Sequence, residues 1–173
     1  MTYAHDRAQS IKLLALDVDG VLTDGRIYYG NSGEELKAFN IKDGLGIKLL
    51  QRAGVAVAII TGRQSAIVSR RAGELGISEI IQGREDKREA LAELCERIGL
   101  SLTDCAYMGD DLPDLAAIRS VGLGLTVADA ASCIREAAHW CSSRNGGDGA
   151  VREACELILG ARGDLSNFEA GYR

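Results

Sequence analysis

Residues 11–16, Ile-Lys-Leu-Leu-Ala-Leu, are apolar at every position but Lys12, and they end abruptly in Asp17-Val18-Asp19-Gly20. A short apolar run closed by glycine reads as a parallel strand buried on both faces, followed by its exit loop. Such a strand needs a layer packed on each side, which points to an α/β architecture. In open α/β sheets, ligands bind at the carboxyl ends of the strands. Asp17 and Asp19 therefore stand where chemistry is usually done. Two residues apart on an extended chain, they share one side. Like charges held so close need a compensating cation. A divalent ion such as Mg²⁺, commonly held by one or two carboxylates, meets that need. The plainer alternative is a pair of turn-forming or helix-capping residues at a loop start.

The pattern then repeats. Apolar runs at residues 55–60, 79–81, 105–108 and 121–127, and a short one at 138–141, read as further strands. Between them lie helical stretches. One runs from Asp43, a plausible N-cap, to about residue 53, with Leu45, Leu49 and Leu50 facing inward. Others cover residues 65–75, 86–98, about 113–118, 130–137 and 150–159, and Gly76 and Gly99 close the first two. Alternating strands and helices predict a doubly wound, mainly parallel, Rossmann-like sheet with right-handed crossovers. Residues 25–40 break the alternation. Aromatic and β-branched residues around Gly30-Asn31-Ser32-Gly33 read as a β-hairpin flap, which is marginal alone and must pack on something. Residues 1–10 read as a loose leader, and 160–173 as a mixed tail. The whole, 1–173, is expected to be a single domain.

Composition narrows the partners. A net charge of −5 argues against nucleic acid. The longest apolar runs are too short to span a membrane, and residues 1–10 lack the apolar core of a secretory signal. Five cysteines without a CxxC pair read as reduced, mostly buried thiols of a cytoplasmic protein. His139-x-Cys141 has no partner pair for zinc and reads as packing.

Four strand ends carry polar residues. The first gives Asp17 and Asp19, the second Thr61, and the fourth Asp110 and Asp111 with Asp114 a turn later. Lys87 opens the helix after the third strand. A parallel sheet brings these ends to one edge. Together they supply what phosphoryl chemistry requires: a nucleophile, carboxylates for a metal, a cation and donors. Thr61 and the Gly62 amide sit at a helix N-terminus, a natural anion site. Taken singly, Thr61 could cap its helix, Lys87 could be a solvated lysine and Gly109-Asp110-Asp111 could be a turn.

These four motifs resemble those of the haloacid dehalogenase-like phosphatase superfamily. The longer string at residues 17–25, with Ile60-Thr61-Gly62-Arg63, Gly109-Asp110-Asp111-Leu112-Pro113-Asp114 and residues 146–153, is similar to its small phosphatases of 3-deoxy-D-manno-octulosonate 8-phosphate. The resemblance implies that Asp17 is the nucleophile and Asp19 the acid/base. It further implies that Asp17, the Asp19 carbonyl and Asp110 hold Mg²⁺, with Thr61, Gly62 and Lys87 on phosphate. Asp111 and Asp114 would act behind them, on metal-bound waters or Lys87. It also implies an open, capless site and a homotetramer built through the hairpin, burying the side that includes Ile27 and Tyr29. Arg63 and Arg71, eight apart and so along one side of a helix, would bind the sugar's carboxylate and hydroxyls, with Arg71 reaching a neighbour's site; the plainer alternative is a pair of solvated surface arginines. Two positions depart from that pattern: Asp148 stands where a basic residue is usual, and Lys42 where Arg is usual.

A related nonulosonate 9-phosphate remains open as substrate. From another class, a phosphorylatable receiver domain also clusters Asp, Thr and Lys. Its acidic pair is adjacent, however, whereas Val18 separates Asp17 from Asp19, and its acceptor strand is the third, which here ends in Ile81-Gln82-Gly83. A catalytically dead interaction module would be expected to have lost Asp19.

Overall fold

The computed structural model describes residues 2–172; Met1 and Arg173, the outer ends of the expected leader and tail, lie outside it. Strand β1 (Leu13–Leu16) is followed by a separate antiparallel hairpin, β2 (Tyr28–Tyr29) and β3 (Glu35–Leu36). Five more strands follow: β4 (Ala56–Thr61), β5 (Glu79–Gln82), β6 (Cys105–Gly109), β7 (Leu123–Thr126) and β8 (Trp140–Cys141). With β1 they form a six-stranded sheet in the order β5-β4-β1-β6-β7-β8, parallel throughout. All four residues of β1 are buried, as its apolar run requires. The chain winds outward from β1 on one side and then on the other, so the topological switch lies at β1. The register sets Leu16 between Ile59 and Met108. Asp17, just past the end of β1, therefore stands level with Ile60 and Gly109.

Helices α1 (Thr2–Ala8), α2 (Ile41–Arg52), α3 (Ala66–Leu75), α4 (Lys87–Ile98), α5 (Leu115–Ser120), α6 (Ser132–Ala137), α7 (Ala150–Arg162) and α8 (Leu165–Ala170) surround the sheet. They pack in two groups. Helix α7 receives α1 and α2, while α5 receives α4 and α6. Gly76 and Gly99 close α3 and α4 in the left-handed conformation, as their positions predicted.

Three local expectations are corrected. The leader is the helix α1, which buries Ala4 and Ala8 and is tied down by Arg7 Nη1 donating to the Gly122 carbonyl at 2.7 Å. The tail is helical as well: α7 runs to Arg162, Gly163 turns the chain at a φ of 79°, and α8 follows. The N-cap of α2 is Asn40, not Asp43; its side chain accepts from the Lys42 N–H, and Asp43 is buried inside the first turn. Leu45 is exposed, against expectation, and Ile47 joins Leu49 and Leu50 in the core. The cysteines are all free, with Cys95, Cys105 and Cys155 buried and Cys141 exposed. The His139 ring accepts from the Gly124 N–H through Nδ1, a packing role.

Candidate active site

Adjacent strands β4, β1 and β6 deliver Thr61, Asp17 and Asp110 to one edge of the sheet. The Asp17 N–H continues the ladder to the Met108 carbonyl at 3.0 Å, so its side chain is the first to leave the sheet. Its Oδ1 accepts from the Val18 N–H at 2.7 Å, and its Oδ2 pairs with Lys87 Nζ at 2.7 Å. Lys87, at the start of α4, is buried and also reaches Asp114 Oδ1 at 2.7 Å.

Asp114 is fully committed to the protein. Its Oδ1 additionally accepts from the Tyr107 hydroxyl at 2.7 Å, and its Oδ2 from the N–H groups of Asp110 and Asp111 at 2.9 and 3.2 Å. Gly109 makes room for it, since a Cβ there would lie 2.3 Å from Asp114 side-chain atoms. Oxygens of Asp17, Asp110 and Asp114 fall within 4.8 Å of one another, the spacing of a metal centre. Each Asp114 oxygen already accepts from two donors, whereas each Asp17 oxygen accepts from one, so Asp17 and Asp110 are the carboxylates with capacity left.

Crowding shows in the proton affinities. Burial, then the Asp114 charge, pushes Asp17 up to about 6 against the pull of Lys87. Burial and the charges of Asp114, Asp17 and Asp111 push Asp110 up to about 7. Burial works against the Lys87 ammonium, but Asp17 and Asp114 lift it above its ordinary value. Two carboxylates that resist ionisation beside one ammonium shared between Asp17 and Asp114 describe a site short of positive charge. A cavity of about 160 Å³ opens over it, lined among others by Asp17, Asp19, Thr61, Arg63, Glu85 and Lys87. The layout offers an oxygen nucleophile, a second carboxyl in Asp19, a fixed ammonium and a hydroxyl at one small mouth. That inventory suits phosphoryl transfer.

A family model described as haloacid dehalogenase-like hydrolase matches residues 71–153. The 3-deoxy-D-manno-octulosonate 8-phosphate phosphatase of Salmonella typhi is 46% identical over 164 residues, covering 95% of this chain and 87% of that protein. This chain belongs to the haloacid dehalogenase-like hydrolases. Among solved structures, the octulosonate phosphatase from Moraxella catarrhalis, in complex with a magnesium ion, a phosphate ion and KDO, is 49% identical. It superposes with a TM-score of 0.99 over 100% of this chain and 99% of that one. The cobalt-bound form of the Haemophilus influenzae enzyme is 41% identical, with a TM-score of 0.90 over 94% and 95% of the two chains.

In this hydrolase the sequence-expected residues are brought together with one exception. Asp17, Asp19, Thr61, Gly62, Arg63 and Lys87 all line the cavity. Asp110 flanks Asp17, and Asp111 caps the turn Leu112–Asp114 beside it. Arg71 stands apart. Arg63 precedes α3, so helical spacing does not relate the two arginines, which corrects the expectation of a shared side. Arg71 instead lies over the Phe39 ring, 5.9 Å from its centroid, and pairs with Glu74 at 3.3 Å.

Sequence reasoning missed the supports. Thr23 is buried, and its Oγ1 bonds the loop after β1 at the Gly25 N–H, 3.2 Å away. Gly147 donates to the Val21 carbonyl at 3.0 Å and accepts from Asn40 Nδ2 at 3.3 Å. The glycine cluster at 146–149 was the available signal, because backbones pack this closely only without side chains. Lys37 on the hairpin also reaches Asp19.

Proposed function

We propose that this protein is a Mg²⁺-dependent phosphomonoesterase that hydrolyses 3-deoxy-D-manno-octulosonate 8-phosphate to the free sugar acid and phosphate, a step in making lipopolysaccharide precursors. The observation that carries this reading is the likeness over the whole chain to the Moraxella catarrhalis enzyme, together with the Asp17–Lys87–Asp114 network at a small polar mouth.

Asp17 attacks phosphorus in line and forms an aspartyl-phosphate. Asp19 protonates the departing alkoxide, then takes a proton from the water that opens the intermediate. Lys87 holds Asp17 in place and draws charge from the phosphoryl oxygens, while the Thr61 hydroxyl and Gly62 N–H donate to them. Asp17 and Asp110, with the Asp19 carbonyl, would hold Mg²⁺. The raised proton affinity of both carboxylates fits a cation there. When bound, the ion relieves repulsion between Asp17 and the phosphate and stabilises negative charge. Asp111 and Asp114 keep this arrangement in register without touching substrate.

Arg63, at the cavity wall, is placed for the sugar's hydroxyls or carboxylate, and Arg71 for a neighbouring subunit's site. A cytoplasmic homotetramer joined through the exposed hairpin completes the reading. No helix among the described residues is long and apolar enough to cross a membrane. Phosphate release, screened over octulosonate and nonulosonate phosphates with Mg²⁺, tests the substrate. The expected result is preference for the octulosonate ester, and loss of multiple turnover in Asp17→Asn. Retained turnover in that variant would remove Asp17 as the nucleophile.

A further inference from the structure

The hairpin β2–β3 buries an unexpected side chain. Ile27, Tyr29 and Leu36 are left 47%, 70% and 59% exposed, while the side chain of Lys37 is only 1% exposed. Apolar burial therefore does not explain how this chain seats its flap. A desolvated ammonium is tolerated only when paired. Lys37 Nζ donates to Asp19 Oδ1 and lies 3.4 Å from Glu35 Oε1. Arg63 closes the ring of charges. Its Nη2 donates to the same Glu35 oxygen at 3.2 Å, and its Nε stands 3.9 Å from Asp19 Oδ2, beyond hydrogen-bonding distance. The two oxygens of Asp19 are thus unequal: Oδ1 is held from behind, and Oδ2 is left free. Lys37 is not among the residues lining the cavity; Asp19 is.

We propose that Lys37 is a positioning residue for Asp19. By holding Oδ1 it fixes the plane of the carboxyl and leaves Oδ2 as the oxygen that handles protons. This rests on the reading of Asp19 as the acid/base. In the first half-reaction the proton on Oδ2 passes to the departing alkoxide oxygen as the P–O bond breaks. In the second, a proton from the attacking water returns to Oδ2. Lys37 keeps its own protons throughout. A carboxyl free to rotate would spend part of its time with neither oxygen aligned, which is the loss an orienting partner prevents.

The test compares two esters through kcat/KM, which reports the steps up to departure of the leaving group. An alkoxide leaves only with a proton, whereas p-nitrophenolate leaves without one. Lys37→Met should lower kcat/KM toward an alkyl phosphate about tenfold or more, and toward p-nitrophenyl phosphate less than about threefold. The alkyl loss should fall on kcat rather than KM. Lys37→Arg, which can still donate to Oδ1, should restore most of the alkyl activity. Equal losses on both esters would make Lys37 a structural anchor of the flap, and an unchanged alkyl rate would remove the role altogether. If Lys37→Met fails to fold, Lys37→Gln is read by the same ratio. The alkyl ester is any sugar phosphate that the wild type hydrolyses. The wild-type preference thus decides the substrate reading, and the ratio of losses decides this one.

Discussion

At the scale of single residues, the crowded carboxylates set how stability responds to pH. In the folded protein without Mg²⁺, Asp17 and Asp110 hold protons up to about 6 and about 7, against an ordinary 3.8. Between pH 4 and 7 the folded state binds protons that the unfolded chain has released, so these groups make stability fall as pH rises. Calorimetry without Mg²⁺ should show Tm dropping from about pH 4.5 to about pH 7 and levelling above that. Added Mg²⁺ should raise Tm more at the upper pH, because protonated carboxylates compete with the ion. A Tm that climbs across this window, or an equal gain from Mg²⁺ at both ends, would show that other groups govern. Asp17, Asp19, Thr61, Lys87 and Asp110 were legible because each sits at a strand end or opens a helix, where sequence position nearly dictates place. Lys37 was not. Its contact with Asp19 crosses a hairpin whose tilt no local pattern encodes. Tyr107 was likewise hidden, since an apolar strand gives no hint that one hydroxyl will be used.

At the scale of elements, two junctions fix the segment 146–152. The first is steric. A Cβ on Gly146 would lie 1.8 Å from the Gly20 carbonyl oxygen, backbone against backbone. Gly146→Ala must therefore push the two loops apart, with an expected cost of about 1–3 kcal/mol in urea unfolding. The displaced Asp19-Gly20 segment should cost activity besides. Full activity with unchanged stability would mean that the loops part freely. The second junction is polar. Asp43 Oδ1 accepts from the Arg152 N–H at 2.8 Å, so a side chain of α2 caps α7, while Oδ2 is buried without a partner. Asp43→Ala should cost about 1 kcal/mol, as a lost cap does, and Asp43→Asn less, because it keeps an acceptor. Equal losses in the two variants would mean that charge, not capping, is what matters there. The capping role was legible in Asp43 itself, but its helix was not. A capping residue signals a helix start nearby; it does not say that the start belongs to an element over a hundred residues later.

At the scale of the whole molecule, the sheet and its order of strands and helices followed from alternation of apolar runs, with α1 and α8 as the pieces read as irregular. Both are short, and neither carries a strong apolar stripe, so packing on α7 decides their shape. The hairpin is the opposite case: legible as an element, yet with its large apolar side chains in water. Replacing Ile27, Tyr29 and Leu36 together by serine should leave the fold intact and shift light scattering from the proposed tetramer to smaller species. An unchanged mass would place the subunit contact elsewhere. The position of β1 has a consequence for synthesis. Of the six strands of the sheet it is the first made and the one at the topological switch, but its neighbour β6 begins only at Cys105. A nascent chain can pair β1 with β4 and must then carry the other side of Leu13–Leu16 as a bare, wholly apolar edge through the making of α3, β5 and α4. Ribosome-bound chains in which residues 105–109 have not yet emerged should be sticky, and those in which they have emerged should not.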